Sequence, residues 1–125
     1  RHPALLQLSR EHHTALKLSL DCRKAVLAAD QEAMNALAGQ MSSLFATELE
    51  PHFQREEEEL LPWLEAAGEH QLVAEHAQLR GLAERIGRGD RGALEAFATA
   101  LSDHVRFEER ELFEKAQEYP AFAVG

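Results

Sequence analysis

The sequence predicts an all-α chain folded as an antiparallel up-down-up-down four-helix bundle. Three observations carry that reading: strand signals are nearly absent, apolar residues recur in steps of three and four along four segments, and the connections between those segments are short. Alanine, leucine and glutamate dominate and favour helix. β-Branched residues are few, and no Asn-Gly hairpin turn occurs.

The first helix is predicted from about Leu5 to Ala28, with Leu6, His13, Leu16, Leu20 and Leu27 as its inward stripe. Asp30 is placed to cap the second helix, which is expected to run to about Ala67. Pro51 lies inside it and predicts a kink rather than a break, because the apolar period resumes beyond it. On this helix Phe45, Glu48, His52, Glu56 and Trp63 share a face. Gly68 punctuates the chain before a third helix, from about Glu69 to Ile86, whose face carries Leu72, His76, Leu79, Ala83 and Ile86. Gly87-Arg88-Gly89 ends that helix, and Asp90 caps the fourth, which is expected to reach about Tyr119. Its stripe reads Leu94, Phe97, Leu101, His104, Glu108, Leu112.

A length of 125 residues predicts a single domain, 1–125, large enough to bury a core without covalent staples. The net charge of −9 argues against nucleic acid and anionic membrane surfaces as partners, but not against cations. Cys22 is the only cysteine, which excludes an internal disulfide and thiolate metal sites. It also suits a reducing, cytoplasmic setting. No apolar run approaches the roughly 20 residues that span a bilayer, and no N-terminal segment reads as a signal peptide. The chain starts at Arg1 rather than Met, which leaves open that it is one domain of a longer protein.

The polar residues that interrupt the stripes point to function. His13, His52, Glu56, His76, His104 and Glu108 all fall on predicted inward faces. A buried carboxylate or imidazole without a partner costs about 1–3 kcal/mol, so six must satisfy one another, and a bound metal is the simplest means. Their depths agree. His13 and His76 lie about 7 to 8 residues into their helices, and the other four about 11 to 15 residues before the ends of theirs, which at 1.5 Å per residue puts all six in one layer. The chain also repeats itself: His52-Phe-Gln-Arg-Glu56-Glu-Glu-Glu-Leu60-Leu parallels His104-Val-Arg-Phe-Glu108-Glu-Arg-Glu-Leu112-Phe. Histidine and glutamate four apart point the same way on a helix, so each repeat offers one imidazole and one carboxylate to a shared site. Donors of this kind, without sulfur, suit iron, manganese or zinc.

Four segments in this order and spacing, Glu11-His12-His13-Thr-Ala-Leu16, Pro51-His52-Phe-Gln-Arg-Glu56-Glu57, Glu75-His76-Ala-Gln-Leu79-Arg80 and His104-Val-Arg-Phe-Glu108-Glu109, resemble the hemerythrin-like, His-His-Glu cation-binding domains. The likeness spans essentially the whole chain. It implies two non-haem iron ions, oxo- or hydroxo-bridged, with Glu56 and Glu108 bridging and His13, His52, His76 and His104 as end-on ligands. It also implies dioxygen, another small diatomic molecule or a peroxide as partner. Oxygen-carrying members have a His-x-x-x-His pair on the third helix, whereas here Leu72 and Arg80 stand four residues either side of His76. One ion is then a ligand short, which moves weight from oxygen carriage toward sensing or turnover.

Three functions follow from the resemblance: a binding or sensing module for dioxygen or related small oxidants; an enzyme that turns over peroxide or nitric oxide or oxidises iron; and an iron-storage or structural metal protein. A ferritin-like oxidase is disfavoured, since its Glu-x-x-His motif is absent. Matching His13-Thr-Ala-Leu16 to His76-Ala-Gln-Leu79 favours His13 over His12, leaving His12 as a surface group or a support behind the ligands. His2 and His70 read as solvent residues, and Glu57, Glu58 and Glu59 as a solvated run, from which Glu57, like Glu109, can reach behind the ligands. Trp63, Phe45 and Phe107 read as core, Cys22 as a small buried hydrophobe, and Tyr119 carries little weight near the site.

Overall fold

A computed structural model describes residues 3–118. The expected end of the last helix near Tyr119, and the residues His2 and Tyr119, lie outside them. The described chain is helical throughout and forms four rods. The first is α1 (Pro3–Leu27). The second is α2 (Gln31–Leu44), continued through a π turn at Phe45–Leu49 into α3 (Glu50–Glu59). A 3-10 turn at Leu61–Trp63 leads to the third, α4 (Ala66–Gly87). The fourth is α5 (Gly92–Phe107), continued through a second π turn at Glu108–Leu112 into α6 (Phe113–Gln117). α1 packs against α2 and α5, and α4 against α2, α3 and α5. Among the described residues no helix is long and apolar enough to cross a membrane.

Two of the connections use the same device. α1 ends with Ala29 at φ 51°, while the Asp30 amide donates to the Ala25 carbonyl (3.1 Å) and the Ala29 amide to Val26 (3.0 Å). α4 ends with Gly89 at φ 95°, the Asp90 amide donating to Arg85 (3.0 Å) and the Gly89 amide to Ile86 (3.0 Å). These are left-handed closures that cap the last carbonyls, strain-free for glycine and not for alanine. Asp30 is the N-cap of α2, its Oδ1 accepting from the Ala33 amide, whereas Asp90, expected to cap the fourth rod, stands one residue before the N-cap Arg91 and accepts from the Gly92 amide, each at 3.0 Å.

The second rod departs from expectation twice. It stops at Glu59, not near Ala67, because Pro62 has no N–H to offer the carbonyl one turn back and the chain tightens into a 3-10 turn. Trp63 is thereby carried off the face of His52 and Glu56 and sits half-buried against the lower core. Gly68 falls inside α4, where a Cβ would stand 3.2 Å from Leu112 Cδ2. At Pro51 the helix runs on, with a π turn immediately before the proline and the Glu50 amide bonded to the Phe45 carbonyl. That wider turn spaces the inward residues Met41, Phe45 and Leu49 in steps of four, so Glu48, expected inward, is exposed.

The first rod is rotated from its expected register. Its inward residues are Leu5, Leu8, His12, Ala15, Ser19 and Cys22, all buried, whereas Leu6, Leu16, Leu20 and Leu27 are 40, 36, 51 and 85% exposed. The exposed leucines also recur at helical spacing, and a shift of one residue turns a helix face by about 100°. The stripes expected on the third and fourth rods, from Leu72 to Ile86 and from Leu94 to Leu112, are buried as read.

The core is divided in two. A larger cluster is built around Phe53, Phe97, Met41, Leu79, Leu94 and Leu101. A smaller one contains Leu5, Leu8, Leu60, Leu72, Leu112 and Phe113. On every rod the polar residues discussed next fall between these clusters.

Candidate metal centre

The layer between the clusters holds His12, His52, Glu56, His76, His104 and Glu108, none more than 5% exposed. α1 supplies His12, α3 supplies His52 and Glu56, α4 supplies His76, and α5 supplies His104 with Glu108 at the mouth of the second π turn. His52 and Glu56, like His104 and Glu108, share a face because they are four residues apart.

All four Nε2 atoms converge on the two carboxylates. His12 and His104 approach Glu108 Oε1 at 3.2 and 2.9 Å. His52 approaches Glu56 Oε2 at 3.3 Å and His76 approaches Glu56 Oε1 at 3.0 Å. The donor atoms form two groups, His12, His52, Glu56 and Glu108, and Glu56, His76, His104 and Glu108, each lying within 4.8 Å of one another. Both carboxylates belong to both groups.

Each imidazole is fixed from behind by a second, outer carboxylate. His12 Nδ1 donates to Glu109 (2.8 Å), His52 Nδ1 to Glu11 (2.8 Å), His76 Nδ1 to Glu57 (2.7 Å) and His104 Nδ1 to Glu75 (2.6 Å). The outer carboxylates are held in turn by Ser9, Arg55, Arg80 and Gln71 respectively. An ionised carboxylate accepts only, so it sets the tautomer: Nδ1 carries the proton and Nε2 presents a lone pair. Four lone pairs then face carboxylate oxygens, an arrangement that is repulsive unless a cation lies between. Consistently, His12, His52 and His104 Nε2, Glu56 Oε2 and both Glu108 oxygens are buried without a hydrogen-bond partner. The residues fit a metal site, with two groups of donors that could each hold an ion.

The arrangement obeys a rule visible in the sequence. Each outer carboxylate is the neighbour of an inner residue: Glu11 precedes His12, Glu75 precedes His76, Glu57 follows Glu56 and Glu109 follows Glu108. Each half of the chain therefore reads Glu-His, then His-x-x-x-Glu-Glu. The Glu-His half of this rule identifies His12, which the leucine-based match passed over in favour of His13. The structure corrects that choice: His13 is exposed on the far side of α1, while His12 is buried in the layer. Glu57 and Glu109 do stand behind the buried histidines His76 and His12; Glu11 and Glu75 were not singled out from sequence. Glu58, Glu59 and His70 are exposed, and Leu72 faces inward while Arg80 turns away to Glu50 and Glu57, so neither position adds a donor to the layer.

Aromatic rings wall the layer. Phe53 stacks on His76 at 4.1 Å and meets His104 edge-on at 5.6 Å, and Phe113 stacks on His12 at 5.8 Å. Burial opposes charge on the site's carboxylates, but where no cation lies in the layer the imidazoles turn Nε2–H toward Glu56, and bonds from His52 and His76 hold it down at about 2. Glu11, Glu57 and Glu75 are likewise lowered, against burial, by bonds from Arg55 and His52, from Arg80 and His76, and from His104 and Gln71. Burial lowers His12 and His104, whereas the Glu56 and Glu11 bonds raise His52 in spite of it.

These directions fix the acid response of the metal-free protein. Depressed carboxylates contribute stability that is complete above their ordinary value of 4.5 and lost as pH falls through their folded values, which for Glu56 is about 2. Lowered His12 and His104 withdraw stability below 6.5, and raised His52 adds some there, so the three partly cancel. The urea midpoint after chelation should change little from pH 7 to 5 and fall steeply from 4.5 downward. A midpoint at pH 3 equal to that at pH 7 would contradict the carboxylate bonding described.

In comparison with known proteins, the family model described as the hemerythrin HHE cation binding domain matches residues 4–116. No curated protein and no solved structure gives a significant match.

Proposed function

The chain belongs to the hemerythrin HHE cation binding domain family, and from that premise we propose that it holds two iron ions and binds or senses dioxygen or a related small oxidant. The observation that carries this reading is the sharing of Glu56 and Glu108 between two donor groups, each completed by two histidines. His12 and His52 would hold one ion and His76 and His104 the other, with Glu56 and Glu108 available to both. Nitrogen and oxygen donors without sulfur admit iron, manganese or zinc, and membership of the family favours iron among them.

When bound, a ferrous pair supplies two electrons to an oxidant. The chain's own contribution is to orient four Nε2 atoms through the outer carboxylates, to hold each Nδ1 proton in place, and to keep bulk water out with Phe53, Phe113 and the flanking leucines. The rods are taken as alternately up and down. This is supported by the order of small cluster, layer, large cluster along α1 and α4, and the reverse along α3 and α5. The lone, buried Cys22 suits a cytoplasmic setting.

A second reading, turnover of peroxide or nitric oxide or oxidation of iron, is favoured by one observation: with Leu72 and Arg80 four residues either side of His76, each donor group has only two histidines. Anaerobic reconstitution with ferrous iron, followed by exposure to air, separates the two. The expected result is two irons per chain and a visible spectrum that reverses when dioxygen is removed. Irreversible oxidation supports turnover instead, and fewer than one metal per chain overturns both.

A further inference from the structure

The outward face of α1 carries a pattern that neither the core nor the metal layer uses. Leu6, His13, Leu20 and Leu27 recur every seven residues, and Ser9, Leu16 and Arg23 stand three residues after the first three of them. Counted as heptads, these are the a and d positions of three consecutive repeats, the spacing that makes a seam for another helix. Leu6, Leu16, Leu20 and Leu27 are four of the five large apolar residues left exposed among the described residues; the fifth, Val73, lies on α4. α1 packs into the bundle through Leu5, Leu8 and the small residues Ala15, Ser19 and Cys22, so the core closes without the exposed leucines.

The two flanks of the seam differ. On one side the e positions are Arg10, Lys17 and Lys24, all basic and all exposed. Among the described residues only Lys17 of the three has an acidic partner, Asp21 one turn on at 3.6 Å, and that pair is screened by solvent. On the other side the g positions are His12, Ser19 and Val26, of which His12 and Ser19 are buried in the bundle. Only the basic flank is open. In a chain of net charge −9, a row of cations beside a leucine seam is a local exception.

We propose that this seam docks one amphipathic helix of a partner protein, with leucines facing the seam and carboxylates facing Arg10, Lys17 and Lys24. Such a helix covers leucines that otherwise stand in water and neutralises the row of cations beside them. A second copy of this chain does not meet that description. In an antiparallel pair e faces e, which sets the three cations against the same three cations. In a parallel pair e faces g, where His12 and Ser19 are buried and carry no negative charge. An anionic membrane attracts the cations but repels the remainder of a chain with net charge −9. The proposal stands apart from the metal reading, because no a or d residue of the seam belongs to either donor group.

The probe is a fluorescent synthetic peptide of three heptads with leucine at a and d and glutamate at e and g; its control carries lysine in place of glutamate. Charge on both flanks keeps copies of each peptide apart. By fluorescence anisotropy the chain should bind the glutamate peptide, and the lysine peptide at least about tenfold more weakly. Leu16→Ser with Leu20→Ser should weaken binding of the glutamate peptide by at least about tenfold. Helix content and melting should be unchanged in that variant, because both leucines already face solvent. Lys17→Glu with Lys24→Glu should reverse the preference in favour of the lysine peptide, which a merely adhesive surface would not do. No binding of the glutamate peptide, or equal binding of the two peptides, overturns the proposal. So does a dimer in sedimentation that the double serine variant dissociates, which assigns the seam to a second copy. Binding to phosphatidylglycerol vesicles that is lost in the same variant assigns it to a membrane, and overturns the proposal too.

Discussion

Replacing Glu56 and Glu108 together by alanine is expected to abolish metal binding, from two ions per chain to none, because each carboxylate serves both donor groups. Either single replacement removes a ligand from both ions at once and should weaken binding by at least about 100-fold, since even partners behind the ligands are worth about 10–100-fold. The metal-free fold should respond far less. Losing Glu56 leaves His76 Nε2 without its partner, a cost of about 1–3 kcal/mol at most. Metal analysis after gel filtration, paired with urea denaturation, separates these effects. A double variant that keeps two ions would show that they are held elsewhere.

The second large effect discriminates between adjacent histidines. His12→Ala should remove one ligand from the His12–His52 position and leave Glu109 without the Nδ1–H it accepts, so the variant should retain a single ion. His13→Ala should retain both with unchanged affinity, because His13 faces solvent. The pair of variants is read by metal stoichiometry under competition with a chelator. The reverse pattern, with His13 required and His12 dispensable, would mean that α1 is rotated by about 100° from the register described.

That register is where sequence reasoning met its limit. On α4 and α5 the leucines, Ile86 and Phe97 face inward, with Val73 exposed, so the stripes through His76 and through His104 and Glu108 could be read directly. On α1 the large residues are partly outside, and the face that packs is lined with Ala15, Ser19 and Cys22, so periodicity counted on leucines follows the exposed flank. The acidic residues carried the missing signal. Glu11-His12 repeats Glu75-His76, and its logic is chemical: the glutamate before each histidine receives the Nδ1 proton of a histidine on another rod. The four outer carboxylates are only half legible: Glu57 and Glu109 follow the paired His-x-x-x-Glu motifs and can be read from them, whereas Glu11 and Glu75 serve histidines on other rods, a pairing that helical periodicity does not encode. The π turns and the stop at Pro62 depend on how the backbone accommodates proline and site geometry, which helical periodicity does not encode.

The central claim, a shared layer holding two ions, is tested most directly by anomalous diffraction at the iron edge from crystals of the reconstituted protein. Two peaks are expected, about 3.5–4 Å apart as in two-metal sites generally, one between His12 and His52 and the other between His76 and His104, with Glu56 and Glu108 contacting both. A single peak, or peaks outside the layer bounded by Leu8, Leu60, Leu72 and Leu112, would contradict it.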